Sequence, residues 1–588
     1  MQQIQTRLRS GDHMGALNAY DALPQPTQVH PSGLVLRAFI LRAFEKLPEA
    51  REALEQALAL TPDFATALSA YGSLLDDLGE AGAGVAPLQR AAELAPENND
   101  VLIDLGIVAT NAGALDIAED ALGRAIRAAP GVARGWNALA HLERQRGKTD
   151  TAIQLYRRAI EADPEDVRSR HNLATLLREA GRREDAIAET GIAVTTMPVP
   201  PETATLHAHL LGELGRTDEA VKAYRDIVAH APEQIDAHET LARLLPQLGR
   251  GSEALDGYRW ALSVRNESPA LWASALRLAF SLRDYSQLSD WAVQAERAIG
   301  PHAEVRLARA AALSRLGDQA QAIDILRGVV AENPESGPAH QHLAHCLIAA
   351  GEAKSAEEHA LTASRIEPDN QTPWALLTII WRLLGDPRED WLADYERLVM
   401  PIDLDAAPGF FDELAARLTE WHVTREHPAD QSLRGGTQTR GVLFDRRDPL
   451  VERLTAQIRT GVMNRLRNLP DDPTHPYLSR NSRDIRFAAS WSARLRSEGF
   501  HINHIHQDGW MSSALYVSLP PEVGQGDAGA LAFGGPDAAL GLDLSPRRIE
   551  RPKVGRLVIF PSYLWHGTLP FESESPRLTV AFDALPSA

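Results

Sequence analysis

Prolines stand at positions 62, 96, 130, 164, 198 and 232, each 34 residues after the last, and Pro334 and Pro368 resume the count after Asn266 and Gly300. A fixed period of this length means that the chain stacks copies of one supersecondary unit and does not fold around a single core. Twelve residues before these marks comes a small residue: Ala50, Gly84, Ala118, Ala152, Ala186, Ala220, Ala254, Ala322 and Ala356. Five before them comes another, usually alanine, as at Ala57, Ala91, Ala125, Ala159, Ala193, Ala261 and Ala363. Leu54, Leu88, Leu122, Tyr156, Tyr224 and Tyr258 fill the position between. Small residues let two helices approach, a bulky one plugs the gap, and proline stops the second helix. The unit is a pair of antiparallel helices.

The stretch "GWNALAHLERQRGKTDTAIQLYRRAIEADPE" carries Trp136, Leu139, Ala140, Tyr156, Ala159 and Pro164 in this order. It resembles the tetratricopeptide repeat. About ten units fit from residue 31 to 370, and residues 1–30 read as a partial unit because Ala16 and Tyr20 keep the register. Residues 267–300 depart from the pattern. The resemblance implies an all-α solenoid whose concave face holds a peptide or protein. A spacer or a platform for a homodimer is the alternative.

After Pro368 the small residues disappear, and "TPWALLTIIWRLLGDPREDWLADYERLV" reads as helices, over 371–404, that cap the stack and dock on something behind it. Loop signals follow in "REHPADQSLRGGTQTRGVLFDRRDP", then one amphipathic helix, "PLVERLTAQIRTGVMNRL". From about residue 485 the period changes to two, in short runs broken by Gly and Pro. Such strands suggest a jelly-roll or barrel. The fold expected is multidomain: the solenoid, then a jelly-roll (double-stranded β-helix) domain over 405–588.

The net charge of −19 argues against nucleic acid or an anionic membrane as partner, since both need a basic face. The one cysteine, Cys346, excludes an internal disulfide and fits a reducing compartment. "MQQIQTRLRSGDHMG" has no apolar core of signal-peptide length, and no apolar run is long enough to cross a bilayer. The expectation is a cytoplasmic protein.

"HINHIHQDGW" concentrates histidine where the strands begin. His506 and Asp508 are two apart, so a slight curl of the loop points both at one ion, and His566 in "FPSYLWHGTLPF" offers a third ligand. Two imidazoles and a carboxylate on one octahedral face leave three positions open, the requirement of a ferrous oxygenase site. Structural zinc sites instead close all four positions, usually with thiolates, which this region lacks. Arg577 in "PRLTVAF" supplies a forked donor for a carboxylate, with the Thr579 hydroxyl beside it. His504 and His506 could themselves clamp a metal; His506 is preferred because only it has a carboxylate two residues on. His504 then reads as a supporting or substrate-facing residue and His501 as solvated. Asp508 could instead start the turn at Gly509.

These motifs, with "QSLRGGTQT", "GALAFGGPD" and "PRLTVAFD", resemble the iron(II)- and 2-oxoglutarate-dependent oxygenases, in particular a bacterial and phage branch. The resemblance implies Fe(II) held by His506, Asp508 and His566, 2-oxoglutarate anchored by Arg577 and Thr579, and O2 as oxidant. In related halogenases a small residue replaces the carboxylate, so Asp508 points to hydroxylation. A long solenoid points to a protein or peptide substrate. A small-molecule oxygenase that dimerises through the solenoid and a non-catalytic repeat scaffold are the alternatives. "QSLRGGTQT" suggests a tight loop at the mouth of the site, with Arg434 a candidate substrate contact. Trp491, Trp510 and Trp565 read as walls or core, and Cys346 as a core residue of a repeat helix.

Overall fold

The computed structural model describes residues 1–196, 199–422, 433–439, 442–523 and 526–587. Pro198 of the proline series, and Gln431 and Ser432 of "QSLRGGTQT", lie outside them. The first helix of each repeat starts at Pro31, Ala65, Asn99, Ala133, Val167, Pro201, Ile235, Pro269, Ala303 and Gly337, 34 residues apart throughout. The second helices end just short of the proline marks, as in Leu47–Leu60 before Pro62 and Thr149–Ala162 before Pro164. The spaced alanines and their plugging residues are buried, Ala152, Tyr156 and Ala159 being at most 1% exposed.

Residues 267–300, expected to depart, hold two regular helices, Pro269–Ser281 and Tyr285–Ile299. The irregular unit is the one before. There helix Ile235–Leu244 gives way to tight turns over Leu245–Leu248 and Gly251–Glu253 before Asp256–Val264. Pro246 accounts for this, because it cannot donate to the preceding turn.

By compactness the chain divides within the array, into Met1–Ala223 and Tyr224–Ala588. In the second unit one hydrophobic core runs from Ala310 in the repeats to Ala584 near the end of the chain. The expected capping segment joins them. The indole Nε1 of Trp565 donates to the carbonyl of Ala375 (2.9 Å), and the Tyr563 hydroxyl donates to that of Leu392 (2.8 Å). Arg547 grips Glu389 at 2.5 and 2.9 Å.

The strands are β1 (Met400–Asp403), β2 (Leu433–Gln438), β3 (Ile485–His501), β4 (Met511–Ser518), β5 (Leu531–Phe533), β6 (Arg548–Glu550), β7 (Arg556–Pro561), β8 (His566–Thr568) and β9 (Arg577–Pro586). They form a six-stranded sheet in the order β1-β7-β4-β9-β3-β2 and a three-stranded sheet β6-β5-β8, with every pairing antiparallel. This is an antiparallel arrangement consistent with a jelly-roll. Helix Pro449–Leu466 buries Val451, Leu454, Ile458, Val462 and Leu466 along one stripe, and the Asp448 carboxylate caps its start.

The described part of "QSLRGGTQT" is strand β2, not a tight loop. It pairs with β3 across a bulge between Arg434 and Gly436. Gly435 there has φ +65°, and a Cβ on Gly436 would meet the Arg494 carbonyl at 2.5 Å. Among the described residues no helix is long and apolar enough to cross a membrane.

Candidate metal centre and its cavity

Three histidines from two segments meet in front of the large sheet. The segment after β3 runs back beside β8: the His504 amide donates to the His566 carbonyl (3.0 Å) and the His566 amide to that of His504 (3.1 Å). The His506 amide donates to the Ser562 carbonyl (3.1 Å). Gly567 allows this closeness, since a Cβ there would stand 2.4 Å from Asn503 Oδ1 and 2.9 Å from the His501 carbonyl. One ring nitrogen from each of His504, His506 and His566 lies within 4.8 Å of the other two.

Hydrogen bonds fix which nitrogen carries the proton. His504 Nδ1–H donates to the Ile502 carbonyl (2.8 Å), His566 Nδ1–H to that of Leu564 (2.9 Å), and His506 Nδ1–H to the Asp583 carboxylate (2.8 Å). Carbonyls and carboxylates only accept, so each ring carries its proton on Nδ1 and keeps a lone pair on Nε2. The Nε2 atoms of His504 and His506 are 3.2 Å apart. Two lone pairs at that distance repel unless a cation lies between them. Two nitrogens bound at right angles, each about 2.1 Å from one ion, are about 3 Å apart. The residues therefore fit a divalent metal. Burial, then its histidine neighbours, holds His566 well below the usual imidazole range and takes His504 down to about 3, which keeps both rings neutral.

Asp583 is braced in turn. The Ser512 hydroxyl donates to it (2.8 Å) and shares a 2.9 Å hydrogen bond with that of Ser562. The Trp491 ring stacks near-parallel to that of His506, with centroids 5.9 Å apart.

Asp508 is placed differently from its expected role. It is exposed and lines the same cavity, but it lies outside the group of ligand atoms, where His504 stands with His506 and His566. His501, read as solvated, is half-buried in the cavity wall, and desolvation there pushes its imidazole well below the usual range. Trp510 and Trp565 are core, as expected, and Cys346 is buried in a repeat helix.

The cavity measures about 860 Å³. Strand alternation brings Arg577, Thr579, Ala581 and Asp583, every second residue of β9, to its wall. Arg577 does not sit on a strand adjacent to His566. It belongs to the six-stranded sheet and His566 to the three-stranded one, and both line the cavity. Arg577 is 2% exposed, and among the described residues its Nε and Nη1 have no hydrogen-bond partner. Its guanidinium lies over the Tyr516 ring, 5.0 Å from the centroid, and the buried Tyr516 hydroxyl also lacks a partner. A buried guanidinium left with free donors is costly unless an anion meets it. The donor set therefore fits a carboxylate. The Thr579 hydroxyl donates weakly to the Ala493 carbonyl at 3.4 Å.

Asp583 and Tyr516 were missed in the sequence, and His504, weighed there as a ligand beside His506, was set behind Asp508. Asp583 could have been found from the period of two that begins at Arg577. His504 needed the bridge to His566, which no local pattern announces.

A model described as "Putative 2OG-Fe(II) oxygenase" matches residues 489–583, and tetratricopeptide-repeat models match 37–99, 133–176, 205–285 and 302–380. The chain joins tetratricopeptide repeats to a 2-oxoglutarate- and iron(II)-dependent oxygenase domain. No curated protein matches it. Among solved structures, a tetratricopeptide repeat protein from Parabacteroides merdae is 19% identical over 42% of this chain and 96% of its own, with a TM-score of 0.34. The type IV pilus biogenesis factor PilW is 20% identical over 35% and 95%, with a TM-score of 0.31. Naa15/Naa10 bound to HypK-THB is 16% identical over 66% of each chain, with a TM-score of 0.28. Likenesses this distant carry no functional argument.

Proposed function

We propose that the chain is an iron(II)- and 2-oxoglutarate-dependent dioxygenase that hydroxylates a side chain of a protein or peptide. His504, His506 and His566 would hold the iron, and Arg577, with Thr579 and the Tyr516 hydroxyl, would hold one carboxylate of 2-oxoglutarate. The observation that carries the reading is the meeting, in one cavity, of three Nδ1-protonated imidazoles with a buried guanidinium whose donors are unmatched. Bound together, iron and 2-oxoglutarate supply the oxidising power by activating dioxygen as the co-substrate loses carbon dioxide to become succinate.

The chain's own residues do the rest. The carbonyls of Ile502 and Leu564 and the Asp583 carboxylate hold the three rings in one tautomer, so the lone pairs need no rearrangement before a metal binds. The apolar faces of Phe560 and Trp491 beside the histidines limit water at the reacting end. Asp508 competes with His504 for the third ligand position, and single substitutions decide between them. Iron binding by calorimetry should be lost in His504→Ala and kept in Asp508→Ala. 2-Oxoglutarate binding should follow the iron and fail in Arg577→Ala. A wild-type chain that binds neither iron nor 2-oxoglutarate rejects the reading.

The repeats support a polypeptide substrate, because stacked helix pairs present an extended surface suited to a chain. Trapping with His506→Ala followed by mass spectrometry of hydroxylated residues (a gain of one oxygen atom) tests this part.

A further inference from the structure

Part of the cavity wall comes from the repeats: Phe280, Arg283, Tyr285 and Arg315 line it together with the histidines. Three of these four are occupied with one another or with the β-rich domain. Tyr285 packs edge-on to Phe280 at 6.1 Å, Arg315 lies over the Tyr285 ring at 5.9 Å, and Arg315 pairs with Asp537 at 3.0 Å. Arg283 is the exception: its side chain is exposed.

The backbone at Arg283 is unusual in a way that the repeat period makes plain. Every thirty-fourth residue from Gly11 to Gly385 turns the chain between the two helices of a unit with positive φ. Ten of these are glycines, with φ between 64° and 95°, and the two departures are Glu45 and Arg283, each at 59°. A Cβ on other glycines of the series, Gly215 and Gly317, would meet nothing within 4 Å, so only backbone energy disfavours a side chain at this turn. Among the repeat turns of the second unit, Arg283 is the one that carries a side chain at such a φ, and it lines the cavity. Strain held at a cavity wall points to a role there.

The chemistry of the role follows from charge. The chain carries a net charge of −19, yet this wall offers a guanidinium. Arg434 on β2 is close enough to feel it: burial first, then the positive charge of Arg283, disfavours its charged form. An exposed guanidinium on the wall of a cavity suits a carboxylate, which can accept a forked pair of hydrogen bonds. A cavity of about 860 Å³ has room for a side chain with the backbone on either side of it, near the upper end of the range for small-molecule pockets.

We propose that Arg283 recognises substrate, receiving an aspartate or glutamate of the polypeptide a few residues from the side chain presented to the histidines. This rests on the oxygenase reading above.

The test uses the full chain with ferrous iron and 2-oxoglutarate, without oxygen, and three fluorescent degenerate peptide pools. The pools are identical except that one carries Asp or Glu at each fixed position, one Asn or Gln, and one Lys. The acidic pool should bind about tenfold tighter than the amide pool. Arg283→Gly, which restores the glycine of the other turns and should melt no lower than wild type, should erase the preference. Arg283→Lys should keep part of it. Equal preference in wild type and Arg283→Gly, or binding by none of the pools, overturns the proposal. So does displacement of the acidic pool by N-acetylglutamate at the same concentration as peptide, which would assign the site to a small anion. The same titration without metal separates this question from the other. Selection of acidic peptides by a chain that binds no iron would remove the oxygenase reading and leave the recognition by Arg283 in place.

Discussion

In the repeats, contacts are made near at hand. Ala140, Ala152, Tyr156 and Leu173 share one small cluster, all within a span of about one repeat period. At the candidate metal centre the distances along the chain are of another kind: His504 pairs with His566, 62 residues on, and His506 with Asp583, 77 residues on. One region solves a local problem many times over, and the other solves a long-range problem once. Damage should therefore remain local in the first and be felt at the chemistry in the second.

The sharpest form of that contrast is at the metal. Asp583→Asn should weaken ferrous iron binding about 10–100-fold by removing the carboxylate that fixes one ring, and His566→Ala should weaken it further still, both by calorimetry. Tyr156→Ala in the first unit should cost about 3–5 kcal/mol of local stability in urea titration, the range for truncating a large buried aromatic, and leave iron affinity unchanged. Coupling of Tyr156 to iron binding would break the contrast.

Arg577→Met should separate binding from folding. Loss of charge-assisted hydrogen bonds worth about 1.5–3 kcal/mol should weaken 2-oxoglutarate binding about 10–100-fold. The free chain should become more stable, since an unmatched buried charge is removed.

A smaller effect is expected with pH. Burial, with Arg315 close by, pushes the imidazoles of His342 and His345 in helix Gly337–Ala349 down to about 4 and about 3 from an ordinary 6.5. Between those values the unfolded chain binds more protons than the folded one. Their contribution to stability is full above pH 6.5 and declines as pH falls from 6.5 toward about 3. The urea midpoint of the second unit should follow that decline, and replacing both rings with glutamine should flatten it. The smallest effect belongs to Arg283→Gly, which should raise stability by about 1 kcal/mol as left-handed strain is relieved, with Glu45→Gly matching it in the first unit.

The array was legible because its information is local. A proline, two alanines and a plugging residue recur at fixed offsets, and their spacing reports helix packing directly. The one misplacement, reading 267–300 and not 235–264 as irregular, came from weighing the missing prolines at 266 and 300 above the extra one at Pro246. The β-rich domain was legible in its strands, its buried Arg577 and two of its three clustered histidines. Asp508 drew attention because it is two residues from His506, close enough for a slight curl of the loop to bring both to one ion. The residues after β3 form an irregular segment pinned to β8, where separation in sequence no longer decides which side chains meet.

From the sequence alone came the helix pairs, their period, the change to strands and the chemical types gathered near the end of the chain, because each is written in neighbouring residues. Which nitrogen of each histidine carries the proton, which carboxylate supports them, and that an arginine from the repeats faces the same cavity were settled only by folding. Those depend on segments far apart in the chain being brought within hydrogen-bonding distance, and backbone pairing between strands, not local preference, brings them there.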